Sequence, residues 1–203
     1  MLQTTYQPHM VDIVFPIEGT TISKHYSHDL QNALQTELPW ITAEERFSIH
    51  PIKLVTGDSE ITVLSRRAQM IVRGPRERYE EIKSLSGKEL NLSGHLIRLG
   101  NPHEKELNPP STLYAHHVFA ANASESDFMT KVSEELQILG IGGERVCGKR
   151  HTLGLPIQSL DTFSLMVHGL APEPSLRLQE HGLGKHKLLG CGIFVGHKSA
   201  AAV

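Results

Sequence analysis

The sequence predicts an α+β fold made of two tandem ferredoxin-like (RRM-like) βαββαβ domains. Three observations predict it. The chain has 203 residues, enough for two small units of about 100 each. The order strand, helix, strand, strand, helix, strand is legible before residue 100 and again after residue 112. Between the two runs lies Gly100-Asn101-Pro102 through Asn108-Pro109-Pro110, polar and bounded by prolines as a domain boundary is. The expected division is an N-terminal domain over 1–100, a linker over 101–112 and a C-terminal domain over 113–203.

In the first domain, Val11 to Ile17 is rich in β-branched residues and reads as a strand. Gly19-Thr20-Thr21 breaks it. A helix is expected from Ser23, as N-cap, to Leu38, with Leu30, Ala33, Leu34 and Leu38 at helical spacing and Pro39 as its stop. Phe47 to Val55 reads as a strand ended by a turn at Thr56-Gly57-Asp58-Ser59, and Ile61 to Val72 as the next. Pro75 can start a helix that Glu77 to Leu85 continues; Gly87 ends it, and Leu90 to Leu99 reads as one strand. In the second domain the strand Leu113 to Ala120 precedes a helix from Ser124 to Leu139, capped by Ser124 or Ser126 and closed by Gly140. Glu144 to Leu153 and Ser159 to His168 form a strand pair. Pro172 to His181 is a short helix, Leu189 to Val195 the last strand, and 199–203 a frayed tail.

Composition is that of an ordinary globular protein, with 39% hydrophobic and 21% charged residues. No apolar run is long enough to cross a bilayer, and Met1 to Asp12 lacks the pattern of a secretory signal, so a cytoplasmic protein without membrane contact is expected. Cys147 and Cys191 are too few for a disulfide scaffold or a four-cysteine zinc site. Net charge is −2, unlike the usual basic nucleic-acid binder, but it is unevenly spread. Residues 1–140 hold 13 basic and 18 acidic side chains, and residues 141–203 hold 7 and 4. An anionic partner should therefore meet the C-terminal part, aided by Arg66-Arg67 and by Arg73, Arg76 and Arg78. Arg76 and Arg78 also interleave with Glu77, Glu80 and Glu81, as on a solvated helix face.

The most specific feature is Gly182-Leu183-Gly184-Lys185-His186-Lys187-Leu188-Leu189-Gly190-Cys191-Gly192. Glycines allow positive φ and close backbone approach, and amides exposed in such a turn form an anion-binding nest. Lys185, His186 and Lys187 would add attraction for phosphate. The spacing is neither a Rossmann fingerprint nor a P-loop. The pattern G-x-G-x5-G-x-G near the C-terminus of a second ferredoxin-like unit resembles the glycine-rich loop of the CRISPR-associated repeat-processing endoribonucleases, the sixth Cas family of the RAMP superfamily. Leu178-Gln179-Glu180-His181 before the loop and Ile193-Phe194-Val195 after it resemble the Myxan-type subgroup. So do His50-Pro51-Ile52, Ser65-Arg66-Arg67 with Arg73, and Leu85-Ser86-Gly87-Lys88 with Gly94 and Leu99-Gly100.

The resemblance implies cleavage of CRISPR precursor RNA within each repeat, without a metal or other cofactor. It implies a product that often stays bound in a surveillance complex with other CRISPR effector subunits. Such cleavage uses the substrate's 2′-hydroxyl, and histidine, which titrates near neutral pH, suits the acid and base roles. The candidates are His28, then His25, with Tyr26 as an orienting or stabilising partner. The subgroup commonly shows Asp-His-x-Tyr here, and this chain has His25-Tyr26-x-His28 instead. RNA-binding candidates are Gly182, Gly184, Lys185, His186, Lys187, Gly190 and Gly192 of the loop, Lys149-Arg150-His151 on a strand of the second domain, and Arg66-Arg67 on a strand of the first. No metal site is expected: His116 and His117, adjacent on a strand, should point to opposite faces, and His25 with His28 would need further ligands. With aromatics at 5% and no paired aromatics on a strand, recognition should use duplex shape and phosphates of a repeat hairpin in the cleft between domains, without base stacking on an open sheet.

Two other readings remain. One is a catalytically inactive subunit that only holds the repeat RNA; the other is an assembly module with no RNA role. Steep loss of affinity with salt would separate RNA binders from the last.

Overall fold

A computed structural model of the chain describes residues 6–55, 59–156 and 158–198. The expected turn at Thr56-Gly57-Asp58 and the tail at 199–203 lie outside the described residues. Two antiparallel sheets organise it. The first sheet runs β3 (Ser48–Ile49), β5 (Gln69–Pro75), β1 (Met10–Glu18), β7 (His95–Leu99), β6 (Glu89–Leu92). The second runs β10 (Glu144–Gly154), β11 (Ser159–His168), β9 (Thr112–Phe119), β12 (Val195–Gly196). Counting β3, β5, β1 and β7 as the core strands, both sheets have the order second, third, first, fourth. That is the ferredoxin-like arrangement, used twice.

The strands form where β-branched and aromatic residues alternate. Val11, Ile13, Phe15 and Ile17 of β1 are buried, and β1 pairs along its length with β5 from Met10 opposite Pro75 to Pro16 opposite Gln69. The helices α1 (Ser27–Glu37) and α2 (Tyr79–Lys83) accompany this sheet; Leu30, Leu34 and Ile82 join its core. In the second unit, α3 (Glu125–Ile138) starts as expected, with Ser124 Oγ accepting the Asp127 amide at 3.1 Å, and ends at Gly140 with φ +65°. Helix α4 spans Pro172–His181 as read from the sequence. Phe128, Val132, Leu136 and Leu178 cover Leu113, Ala115, Val118, Phe163, Leu165 and Val167.

Several elements differ from expectation. Residues Thr21–Ser23 (β2) pair with Ile61–Val63 (β4) in a separate ribbon, so α1 begins at Ser27 instead of Ser23. Ser23 Oγ accepts the His25 amide in the turn between. The expected strand Phe47 to Val55 shrinks to β3, and the next splits into β4 and β5 around a turn. Leu90 to Leu99 is a hairpin, because Ser93 and Gly94 both take positive φ, 52° and 91°. The expected linker is not free: its residues His103–Lys105 (β8) pair with β1. The last strand is only β12, preceded by a 3-10 turn at Lys187–Leu189.

The two units are joined by a buried charge network. Arg73 of β5, 2% exposed, forks onto Asp12 of β1 with Nε–Oδ1 at 2.7 Å and Nη2–Oδ2 at 3.0 Å. Its Nη1 reaches across to the carbonyls of Gln179, at 2.8 Å, and Phe194, at 3.1 Å, both in the second unit. Arg73 is therefore not available to an anionic ligand, contrary to the sequence expectation. Arg76 likewise pairs with Glu106, at 2.7 Å, and Glu104; Arg78 pairs with Glu81 and lies over the Trp40 ring. His50 Nε2 stands 3.4 Å from Asp12 Oδ1. Burial opposes ionisation of Asp12, but His50 and Arg73 outweigh it and hold the carboxyl well below the usual range. A second bridge runs from buried Glu180 of α4 to Tyr6, the His9 amide and Arg46. Arg73→Met should leave the Asp12 charge buried without its partner and cost about 3–5 kcal/mol of stability, read as a lowered urea midpoint.

Candidate functional site

The glycine-rich loop links α4 to β12 and closes on itself. Leu183 donates to the Gly192 carbonyl at 3.1 Å, Cys191 to that of His186 at 3.2 Å, and Gly192 to that of His117 on β9 at 2.6 Å. Gly192 has φ +68°, and a Cβ there would run into the Leu183 carbonyl oxygen. Gly184 has a similar φ, +67°, but its Cβ would meet nothing nearer than Val118 at 4.0 Å. The two glycines thus have different reasons: steric at Gly192, conformational alone at Gly184. Gly182 also lies against Gly192, and Gly190 against Pro51 at 3.1 Å.

The loop's donors are partly committed inside the protein. The Gly184 amide donates to Glu135 Oε2 of α3 at 2.8 Å. Lys187 is half-buried and donates to the Glu45 carbonyl at 3.2 Å; burial lowers its pKa. Lys185 is exposed. His186 adopts a left-handed φ of +66° and sets its ring edge-on to Phe119 at 4.6 Å; burial and then Lys185 lower its pKa. An open cleft of about 490 Å³ separates this loop from α1 and the segment after it. Lys185, His186 and Lys187 form one wall; Gln31, Thr42, Glu44 and Glu45 face them. Gln31 and Glu45 lacked any motif and were missed by sequence reasoning.

His28 stands one turn before Gln31 on the same side of α1, with Nδ1 3.3 Å from Asn32 Nδ2 and a side chain 41% exposed. His25 lies in the turn before α1, with Nε2 2.9 Å from Glu60. Its ring stands over Gly154 of β10, where a Cβ would come within 2.7 Å. His25 thus stands where the first unit meets the second, and neither imidazole is among the residues that line the cleft. Tyr26 is placed otherwise. It is buried in the first core, its hydroxyl accepts the Ile52 amide at 2.5 Å, and burial pushes its pKa up to about 12. It lies beneath the turn that carries the two histidines, inside the core.

The strand candidates also divide. Arg66 and Arg67 are exposed, but on the turn between β4 and β5 instead of on a strand. Lys149 is exposed at a register shift in β10. Arg150 points toward the helices, exposed: it forks onto Asp161 at 2.6 and 2.8 Å, donates to Ala123 and lies over Phe163. His151 joins His116, with ring centroids 4.6 Å apart, and His117, 5.4 Å away.

That cluster corrects a sequence expectation. β9 gains a residue between Ala115, opposite Leu165, and Val118, opposite Phe163. Leu113, Ala115, Val118 and Ala120 all stay in the helix-side core, so His116 and His117 both turn to the other face. Their rings lie 4.4 Å apart. The signal was present in the apolar positions 113, 115, 118 and 120, which change parity midway. Among the described residues no three or more His, Cys, Asp or Glu are arranged to hold a metal ion. Burial, then His116 and His151, push His117 down to about 4, and burial foremost lowers His50.

Comparison with known proteins gives four consistent findings. The family model described as Cas6 Crispr matches residues 11–199. The CRISPR-associated endonuclease Cas6 of Myxococcus xanthus (strain DK1622) is 30% identical over 194 residues, covering 95% of this chain and 84% of that protein. A solved CRISPR associated protein Cas6 superposes with a TM-score of 0.66 at 11% identity, over 93% of this chain and all of that one, 100%. An RAMP protein described as binding different RNA substrates gives 0.62 at 13% identity, over 91% and 98%. At these identities the two structures speak to the fold. No helix among the described residues is long and apolar enough to cross a membrane.

Gly192→Ala should unseat the loop and lower the melting temperature, whereas Gly184→Ala should cost only about 1 kcal/mol, the strain of its φ; equal melting temperatures for the two variants would contradict the steric assignment. His50 and His117 have depressed folded pKa values, so between about pH 6.5 and 4 the unfolded chain binds protons that the folded one refuses. Stability should fall as pH falls through that window, and His117→Asn should flatten the slope of melting temperature against pH.

Proposed function

The chain belongs to the Cas6 family, and from that premise we propose that it is an endoribonuclease that cleaves CRISPR precursor RNA inside its repeats. The curated relative with that family name is an endonuclease and matches nearly the whole chain. The observation that carries the reading for this chain is the cleft itself. A cationic wall, Lys185 with His186 and Lys187, faces α1, at whose start two exposed imidazoles stand. His28 lies one turn before Gln31 of the opposite wall, so phosphate attracted to the first wall would lie toward the end of α1 that carries the proposed acid and base.

In the proposed chemistry no metal takes part. The 2′-oxygen attacks the adjacent phosphorus in line, and the bond from phosphorus to the 5′-oxygen breaks. The products are a 2′,3′-cyclic phosphate and a 5′-hydroxyl. One imidazole removes the 2′-proton and a protonated group returns one to the 5′-oxygen. We assign this work to His28 first and His25 second. Burial of Tyr26 favours a supporting role, as packing beneath that turn. Lys185 and the exposed Lys149, Arg66 and Arg67 are the cations we assign to RNA phosphates, while Lys187 and the loop glycines chiefly shape the loop. Retention of the product beside other effector subunits belongs to the same proposal, as does a division of labour between units 1–100 and 113–203.

The test is incubation of the protein, in EDTA, with labelled cognate repeat RNA and with copies carrying one 2′-deoxy nucleotide at each position. One cut, abolished at a single deoxy position, is expected. His28→Ala should lower the cleavage rate about 10²–10⁴-fold while Kd stays nearly constant. Tight, salt-sensitive binding without any cut would instead favour an inactive repeat-binding subunit.

A further inference from the structure

The face of the second sheet away from its helices carries rings that the cleavage chemistry does not use. His197 and Tyr114 have centroids 5.6 Å apart, Tyr114 and His116 6.3 Å, His116 and His151 4.6 Å, His116 and His117 4.4 Å. Hydrogen bonds fix the ring planes: Tyr114 Oη lies 3.3 Å from His116 Nδ1, and His117 Nδ1 2.9 Å from Thr162 Oγ1. His116 is exposed and its neighbours are half-buried. The row continues along β9 to Phe119, whose ring meets His186 of the glycine-rich loop. From Tyr114, opposite Met166, to Phe119, opposite Thr162, the strand advances by four residues of β11, about 14 Å at roughly 3.4 Å per residue. That length takes two or three extended nucleotides.

The row exists because of the extra residue in β9. Without it, His116 and His117 would fall on opposite faces and the rings would not be contiguous. A strand that only needed cover for its core would not require two adjacent imidazoles turned outward. Exposed Lys149, two residues before His151, adds a cation beside the row. Rings in sequence with a cation beside them match unpaired nucleotides, whose bases stack on flat side chains, histidine included. A count of Phe, Trp and Tyr alone overlooks such a platform, because four of its rings are imidazoles.

We infer that the ring row along β9 is a second RNA contact, a stacking track that receives unpaired nucleotides leading away from the glycine-rich loop. This rests on the reading of the chain as a protein that handles RNA, and the test separates the two. Kd is measured by fluorescence anisotropy for three labelled RNAs: the cognate repeat, the repeat trimmed to its paired stem, and the repeat with abasic sites in place of its unpaired flanking bases. Wild type, His116→Ala and His116→Phe are compared, with melting temperatures checked for each.

The untrimmed repeat should bind His116→Ala about 5- to 150-fold more weakly than wild type, the range for one lost base stack. The trimmed and abasic RNAs should bind both proteins alike, and His116→Phe, which keeps a ring, should retain wild-type affinity. Equal loss for all three RNAs, no loss for any, or failure of His116→Phe to retain binding would overturn the stacking track while leaving the cleavage reading intact. If wild type bound none of the three, the RNA reading itself would fall and the track with it.

Discussion

A guanidinium buried between two sheets sets the geometry on which everything else depends. Arg73 comes from a central strand of the first sheet and is neutralised by Asp12 of the neighbouring strand. Its remaining donors are satisfied only by main-chain carbonyls just before and just after the glycine-rich loop, at Gln179 and Phe194. The fork therefore pins both ends of the loop to the first sheet. A buried charge is costly unless every donor is matched, so small displacements of the second unit are opposed by hydrogen bonding as well as by packing. Glu180 repeats the device from the other side, taking Tyr6, the His9 amide and Arg46.

With its ends pinned, the loop has little freedom, and its own internal bonds take up most of what remains. The amides of Leu183, Leu189, Gly190, Cys191 and Gly192 all donate to main-chain carbonyls. What it presents to the cleft is side chain more than backbone: exposed Lys185 and a His186 held in a left-handed conformation. This differs from an open amide nest. The carboxylate of Glu135 already holds the Gly184 amide, and Glu44 and Glu45 stand across the cleft. Negative groups so near the Lys185 wall moderate its field, in keeping with the modest net charge of −2.

The histidines divide by environment. His50 and His117 are shielded from water and held neutral, the first inside the joint between units, the second against Thr162. His25 and His28 stay exposed at the start of α1. The same imidazole thus takes on different protonation behaviour in one chain, through burial first and neighbouring charge second.

The amino-acid sequence by itself determined the alternation of elements, the helix α4 at both ends, a serine cap for α3 at Ser124 or Ser126 and the Gly140 stop, because these follow from local rules of capping, proline placement and periodicity. It also carried the glycine-rich loop, whose spacing needs no partner to be read. The tertiary structure alone decided that Arg73 is a joint and not an RNA contact, that Tyr26 belongs to the core, and that Arg150 is held by Asp161. The chemistry of those side chains permits either fate, and only the position of a distant partner selects one. The same holds for Leu90 to Leu99, which turns back at Ser93-Gly94, and for the outward pair His116-His117. A bulge is a relation between two strands, and its trace in one of them is only a change in the parity of apolar positions.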